Sequence, residues 1–185
     1  MTHPVARALT KLVERAQALQ PDKKFVAEFD PEWRSDCELN QDDNLSYWRP
    51  CPQTTTVDFN GLANAIEQPV HPAIIAYYTT YWAGSVETSS EEGHVSLIQL
   101  WNPDDFERLI GNLLGHYMAK QQTRAPFSVF FATTEPDSEL FLSIENESGR
   151  VLLEQPGKKP LRVVENDLAS FLNRLTPAVG QPGIY

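Results

Sequence analysis

The sequence predicts a single α+β domain: a mostly antiparallel sheet with helices packed on it. Three observations lead there. The second half is a series of short apolar runs separated by tight turns, so hairpins dominate over βαβ alternation. One long amphipathic stretch interrupts them. The chain has 185 residues, 41% of them apolar, which is enough for one sizeable core.

Taking the elements in order, residues 4–20 read as a helix. Val5, Leu9, Leu12, Val13, Ala16 and Leu19 form its stripe, and Pro21 ends it. Pro31 to about Asn44 is acidic and poorly periodic, and is expected to be a surface loop or short turns carrying Trp33. Leu45 to Arg49 is a short strand by its aromatics, closed by Pro50 and Pro52. A short helix through Glu67 starts at either Asp58 or Asn60, with Leu62, Ala63 and Ile66 turned inward. Pro72 suits a first helical position, so Ala73 to Tyr78 is expected to make about two turns. The β-branched and aromatic content of Ile74 to Trp82 favours a strand instead. Tyr77, Tyr78, Tyr81 and Trp82 are expected in the core or at its edge.

Gly84 opens a hairpin, with Ser85 to Ser89 and His94 to Leu100 as arms and Glu91-Glu92-Gly93 at the tip. Its second arm is apolar on both faces, which marks a central strand. The long helix follows, from Trp101 to Gln122. Asn102 is its N-cap, Pro103 its first residue, and Asp104, Asp105 and Glu107 meet the positive end of its dipole. Phe106, Leu109, Ile110, Leu113, Leu114, Tyr117 and Met118 form the apolar stripe, and Lys120 and Arg124 close the end. Gly111 and Gly115 lower helix propensity, and close packing of the helix on the sheet is the expected reason. Phe127–Ala132, Leu140–Glu145, Val151–Glu154 and Leu161–Val164 are further strands. Asn166 or Asp167 caps a last helix, and residues 176–185 form a tail.

The formal charge is −10 and it is segregated. Between Glu28 and Asp43 stand seven acids (Glu28, Asp30, Glu32, Asp36, Glu38, Asp42, Asp43) against Arg34 alone. From Glu87 to Glu107 six acids (Glu87, Glu91, Glu92, Asp104, Asp105, Glu107) meet no base. The first 27 residues reverse the balance, with five bases to two acids. A negative face follows, which repels nucleic acid and attracts basic peptides. Its candidate contact residues are Glu28, Glu32, Asp36, Glu38, Asp42, Asp43, Glu87, Glu91 and Glu92. Reversing Glu28, Glu32, Asp36 and Glu38 is expected to disrupt it first, with Glu87, Glu91 and Glu92 next in line.

No chemistry-bearing motif is present. There is no glycine-rich phosphate loop and no nucleophile elbow, and His3, His71, His94 and His116 lack ligand spacing. No cofactor and no metal site are expected. Cys37 and Cys51 match neither zinc nor redox spacing and read as ordinary thiols. With no signal peptide and no membrane-spanning run, the protein is expected in the cytoplasm. A hydrolase would need two opposed carboxylates across a cleft, which ranks below a binding role.

Several stretches in fixed order carry a resemblance: Tyr47-Trp48-Arg49-Pro50, Gln68-Pro69-Val70-His71-Pro72, Tyr78-Thr79-Thr80, Ala83-Gly84, and Leu100-Trp101-Asn102-Pro103-Asp104-Asp105-Phe106. Asn112 to His116, Phe130 to Thr134, Asn146 to Gly149 and Leu168 to Leu172 continue it. Together, from about Pro31 to Pro177, they resemble the Syd family of SecY-interacting proteins. The stretch Glu28 to Asn44 departs from that pattern, with Trp33-Arg34-Ser35-Asp36-Cys37-Glu38 in place of small and apolar residues. The resemblance implies a fold related to SUKH-type immunity and regulatory proteins. It implies a non-catalytic protein, peripheral on the cytoplasmic face of the bacterial inner membrane. There it would bind the basic cytosolic loops of SecY through a concave acidic surface and bear on the assembly state of the channel. Membrane association would be indirect, through SecY. An immunity-type protein neutralising a basic partner is the alternative.

Overall fold

The computed structural model describes residues 1–178. It has five α-helices: α1 (Pro4–Ala18), α2 (Asn60–Ile66), α3 (Pro72–Tyr78), α4 (Pro103–Gln122) and α5 (Leu168–Arg174). The strands are β1 (Phe25–Glu28), β2 (Glu38–Asp42), β3 (Leu45–Trp48), β4 (Cys51–Pro52), β5 (Tyr81–Trp82), β6 (Val86–Ser90), β7 (Gly93–Leu97), β8 (Ser128–Thr133), β9 (Phe141–Glu145), β10 (Val151–Glu154), β11 (Arg162–Glu165) and β12 (Thr176–Pro177). A seven-stranded antiparallel sheet runs β11-β10-β9-β8-β7-β6-β12. A three-stranded sheet, β1-β3-β2, stands apart from it, and β4 pairs with β5. The fold is α+β with an antiparallel sheet, as the hairpin pattern predicts.

Helices cover both faces of the large sheet. On one face Phe131 meets Tyr77 of α3 at 5.6 Å and Phe171 of α5 at 5.9 Å, both edge to face, and α1 packs over α3 and α5. On the other face α4 sets His116 against Phe127, Phe130 and Phe141. Ordinary strand alternation sends the neighbouring aromatics Phe130 and Phe131 of β8 to opposite layers.

Histidine and proline settle α3. His71 Nδ1 accepts the Ala73 amide and Pro72 opens the helix, so the β-branched run stays helical. Tyr77, Tyr78 and Trp82 are core residues. Neither proposed side-chain cap stands at α2. Phe59 occupies the N-cap position, and Asp58 accepts the Asn60 amide.

Several expectations are corrected. Residues 31–44 are not all loop, because Glu38–Asp42 forms β2, and Phe25–Glu28 forms β1. Both pair with β3. The C-terminal tail contributes β12, whose Thr176 and Pro177 pair with Ser89 and Thr88. Proline fits there because it needs no ladder donor at an edge. Residues 179–185 of the expected tail lie outside the described residues. Gly111 and Gly115 face open space, so close packing on the sheet does not explain them. Met118 is 61% exposed because it stands about 140° from Leu113 at roughly 100° per residue. Lys120, seven positions from Leu113, returns to the buried face and does not act as an end charge.

Candidate functional site

Among the described residues, a groove of about 750 Å³ lies between the small sheet and the β12 edge of the large one. The end of α1 supplies Ala16, Leu19 and Gln20; the turn after it supplies Asp22. The small sheet contributes Lys24, Val26, Asn40, Asp42 and Tyr47, and the opposite wall is Glu87 and Ala178.

Strand alternation explains most of this lining, and Phe25, though turned mainly inward, also reaches it. Phe25 and Trp48 turn inward and stack at 4.5 Å, and Ser46 is buried beside them. Lys24, Val26 and Glu28 therefore face the other way, as do Leu45 and Tyr47 on β3. The register places Glu28 and Asp42 on either side of Leu45, so an acid–leucine–acid row crosses the small sheet on its groove face. Leu45 is 43% exposed there. Lys24 donates to Asn40 at 3.3 Å. On the far wall Glu87 is tied down, with His94 Nε2 2.5 Å from one oxygen and the Ser96 hydroxyl 2.9 Å from the other. The groove has an apolar floor and an acidic rim, which suits a segment carrying both aliphatic and cationic side chains.

Of the acids read from the sequence, Asp42 and Glu87 line this groove, and Glu28 lies beside it on the same face of the small sheet. Asp43 stands in the β2–β3 turn with φ 49°. Glu32 is exposed in the turn after Pro31, and Glu91 is exposed at the β6–β7 tip. Asp36 lines a separate cleft of about 410 Å³ with Asp58 and Glu107. Two others are engaged within the fold. Glu38 receives Arg34 Nε at 2.8 Å, the Ser35 amide at 2.8 Å and the Ser46 hydroxyl at 2.7 Å. Burial alone would raise its carboxyl, but these bonds outweigh it and hold the group below the usual carboxylate range. Glu92 takes both terminal nitrogens of Arg174 at 2.9 Å, and that hydrogen bonding pushes its pKa down to about 2.

Asp22 was not singled out from the sequence, since it sits among bases; its left-handed φ of 51° brings it to the rim. The alternation of Lys24, Val26 and Glu28 with Phe25 and Ala27 was the readable signal for the groove wall.

The loop before β2 is latched to the start of α4. Trp101 Nε1 donates to the Trp33 carbonyl at 2.9 Å, and Asn102 Nδ2 to the Arg34 carbonyl at 2.9 Å. The Arg108 guanidinium lies 5.4 Å from the Trp33 ring centre. Asp105 does more than complement the dipole: it accepts the Trp101 amide at 2.9 Å while Asn102 caps the Asp105 amide at 2.8 Å. Cys37 is buried, its thiol pushed up to about 12 by desolvation, and Cys51 is also unbridged. Among the described residues no group of three His, Cys, Asp or Glu side chains could hold a metal ion. No described helix is long and apolar enough to cross a membrane.

Residues 6–177 match the family model described as Syd protein (SUKH-2). The chain is similar to Protein Syd of Pseudoalteromonas atlantica, 32% identical over 96% of this chain and 98% of the relative. It is 35% identical to Protein Syd of Colwellia psychrerythraea over 82% of this chain and 80% of the relative. For Protein Syd of Tolumonas auensis the identity is 40%, over 70% of this chain and 67% of the relative.

Proposed function

The chain belongs to the Syd family, and from that premise we propose that it is a non-catalytic binding module for the basic cytosolic loops of SecY. The observation that carries this reading is the groove itself, where Asp22, Asp42 and Glu87 surround an apolar floor and Glu28 extends the acidic face along the small sheet. Cationic side chains of a loop meet the rim, and its aliphatic residues cover Leu19, Val26 and Tyr47, with Leu45 next to them on the same sheet face. Long-range attraction speeds encounter and sets orientation, and contact with the floor slows release. On this reading the protein works at the cytoplasmic face of the inner membrane and bears on the assembly state of the channel.

Binding to SecYEG in nanodiscs, with empty nanodiscs as control, tests this at about 0.1 M and about 0.5 M salt. The exposed rim charges are screened beyond roughly 8 Å near physiological ionic strength, so affinity should fall steeply between the two. Absence of binding at low salt would sink the reading. The family description also carries the SUKH-2 label, and the same groove chemistry suits an immunity-type protein neutralising a basic partner. Competition with peptides of the SecY loops separates the two.

A further inference from the structure

At the opposite edge of the large sheet from the groove, the β10–β11 hairpin carries a different surface. Residues 155–164 contain Lys158, Lys159 and Arg162 and no acid, in a chain of net charge −10. We infer that this hairpin is a direct contact for the surface of an anionic lipid bilayer.

Four features place the contact there. Lys158 and Lys159 are exposed on the turn. Val163 pairs with Leu152, which pairs with Ser143, whose hydroxyl reaches Glu154 beneath α4, so Val163 lies on the α4 side. Leu161 shares that side by alternation, and the two remain 50% and 40% exposed. Thr123 and Lys158 line one narrow cleft, which brings exposed Arg124 beside the turn. Among the described residues Arg124, Lys158 and Lys159 make no ion pair. Arg162 points to the other side, over a cleft shared with Glu92 and Glu135, so its charge is partly offset.

The combination selects the occupant. A second copy joined edge to edge would set these bases against their own counterparts. A nucleic acid offers phosphates but nothing for Leu161 and Val163 to enter. A bilayer offers anionic head groups with an apolar layer just beneath, which accepts both kinds of side chain. Each base near such a surface strengthens binding about five-fold, so the contact is weak alone. It becomes effective when a second contact holds the protein at the same membrane. The hairpin and the groove are separated by six strand steps, about 30 Å, so one can fail without the other.

Vesicle flotation of the full chain tests this, comparing neutral phosphatidylcholine with phosphatidylcholine containing about one third phosphatidylglycerol at low salt. The chain should float with the anionic vesicles only. K158E/K159E should weaken this by about 25-fold or more, from two five-fold contributions. L161S/V163S should weaken it several-fold without changing the salt dependence, and both variants should melt as the parent does. Flotation with neither or both vesicle types would overturn the inference. So would an L161S/V163S variant that floats like the parent while K158E/K159E loses retention on heparin, which would mark a general polyanion contact.

Discussion

Lys120 of α4 and Glu154 of β10 form an ion pair closed to solvent, with side chains 4% and 0% exposed. The second Glu154 oxygen accepts the hydroxyls of Ser128, at 2.6 Å, and Ser143. With Ser128 donating to Glu154, His116 Nε2 is the donor to Ser128 at 3.1 Å. A charged network therefore pins the last turns of α4 to the middle of the sheet.

Such a pair is costly to break from one side, because the surviving charge stays buried. K120M should destabilise by about 3–5 kcal/mol in chemical denaturation. K120M/E154Q removes both charges and leaves an acceptor for the two serines, so it should cost less than half as much.

Burial lowers the pKa of His116 below its usual value, and Lys120 adds to this against the opposing pull of Glu154. A depressed histidine binds fewer protons folded than unfolded once pH drops below about 6.5. Its stabilising contribution is therefore complete above that value and shrinks as pH falls towards the folded pKa. H116F, packed among Phe127, Phe130 and Phe141, should show a smaller stability difference between about pH 7 and pH 5. The difference should persist in part, since burial lowers the pKa of His71 in the same direction.

The glycines should divide sharply. A Cβ on Gly84 would lie 2.7 Å from the Trp48 ring, and one on Gly149, at φ +77°, 2.6 Å from the His71 imidazole. G84A and G149A should each destabilise by about 1–3 kcal/mol. Gly111 and Gly115 meet nothing within 4 Å. G111A and G115A should raise the melting temperature, each by up to about 1 kcal/mol of stability.

Much of this architecture was legible. Asn102, Pro103 and the stripe from Phe106 to Leu113 announce α4, and Asp167 caps α5 as one of two expected residues. Local signals of capping and period suffice for such elements. The small sheet was not legible, because β2 is exposed along nearly its whole length and owes its existence to pairing with β3. Non-local pairing leaves little trace in a strand's own composition. Charge clustering located the acids but not their roles. Glu38 and Glu92 are spoken for by Arg34 and Arg174, whereas Asp22, hidden among lysines, reaches the groove. Lys120 lay on the buried face by helical period alone, yet its need for Glu154 came from a strand 34 residues away.

The most direct test compares two charge reversals for binding to SecYEG in nanodiscs at low salt. E28K/D42K inverts the acid–leucine–acid row on the groove face of the small sheet; E32K/E91K inverts two exposed acids away from it. The groove variant should lose at least about ten-fold in affinity, or 1.4 kcal/mol, with an unchanged melting curve, while the other stays within about three-fold. Full binding by E28K/D42K, or equal losses in both variants, would contradict the groove as the site.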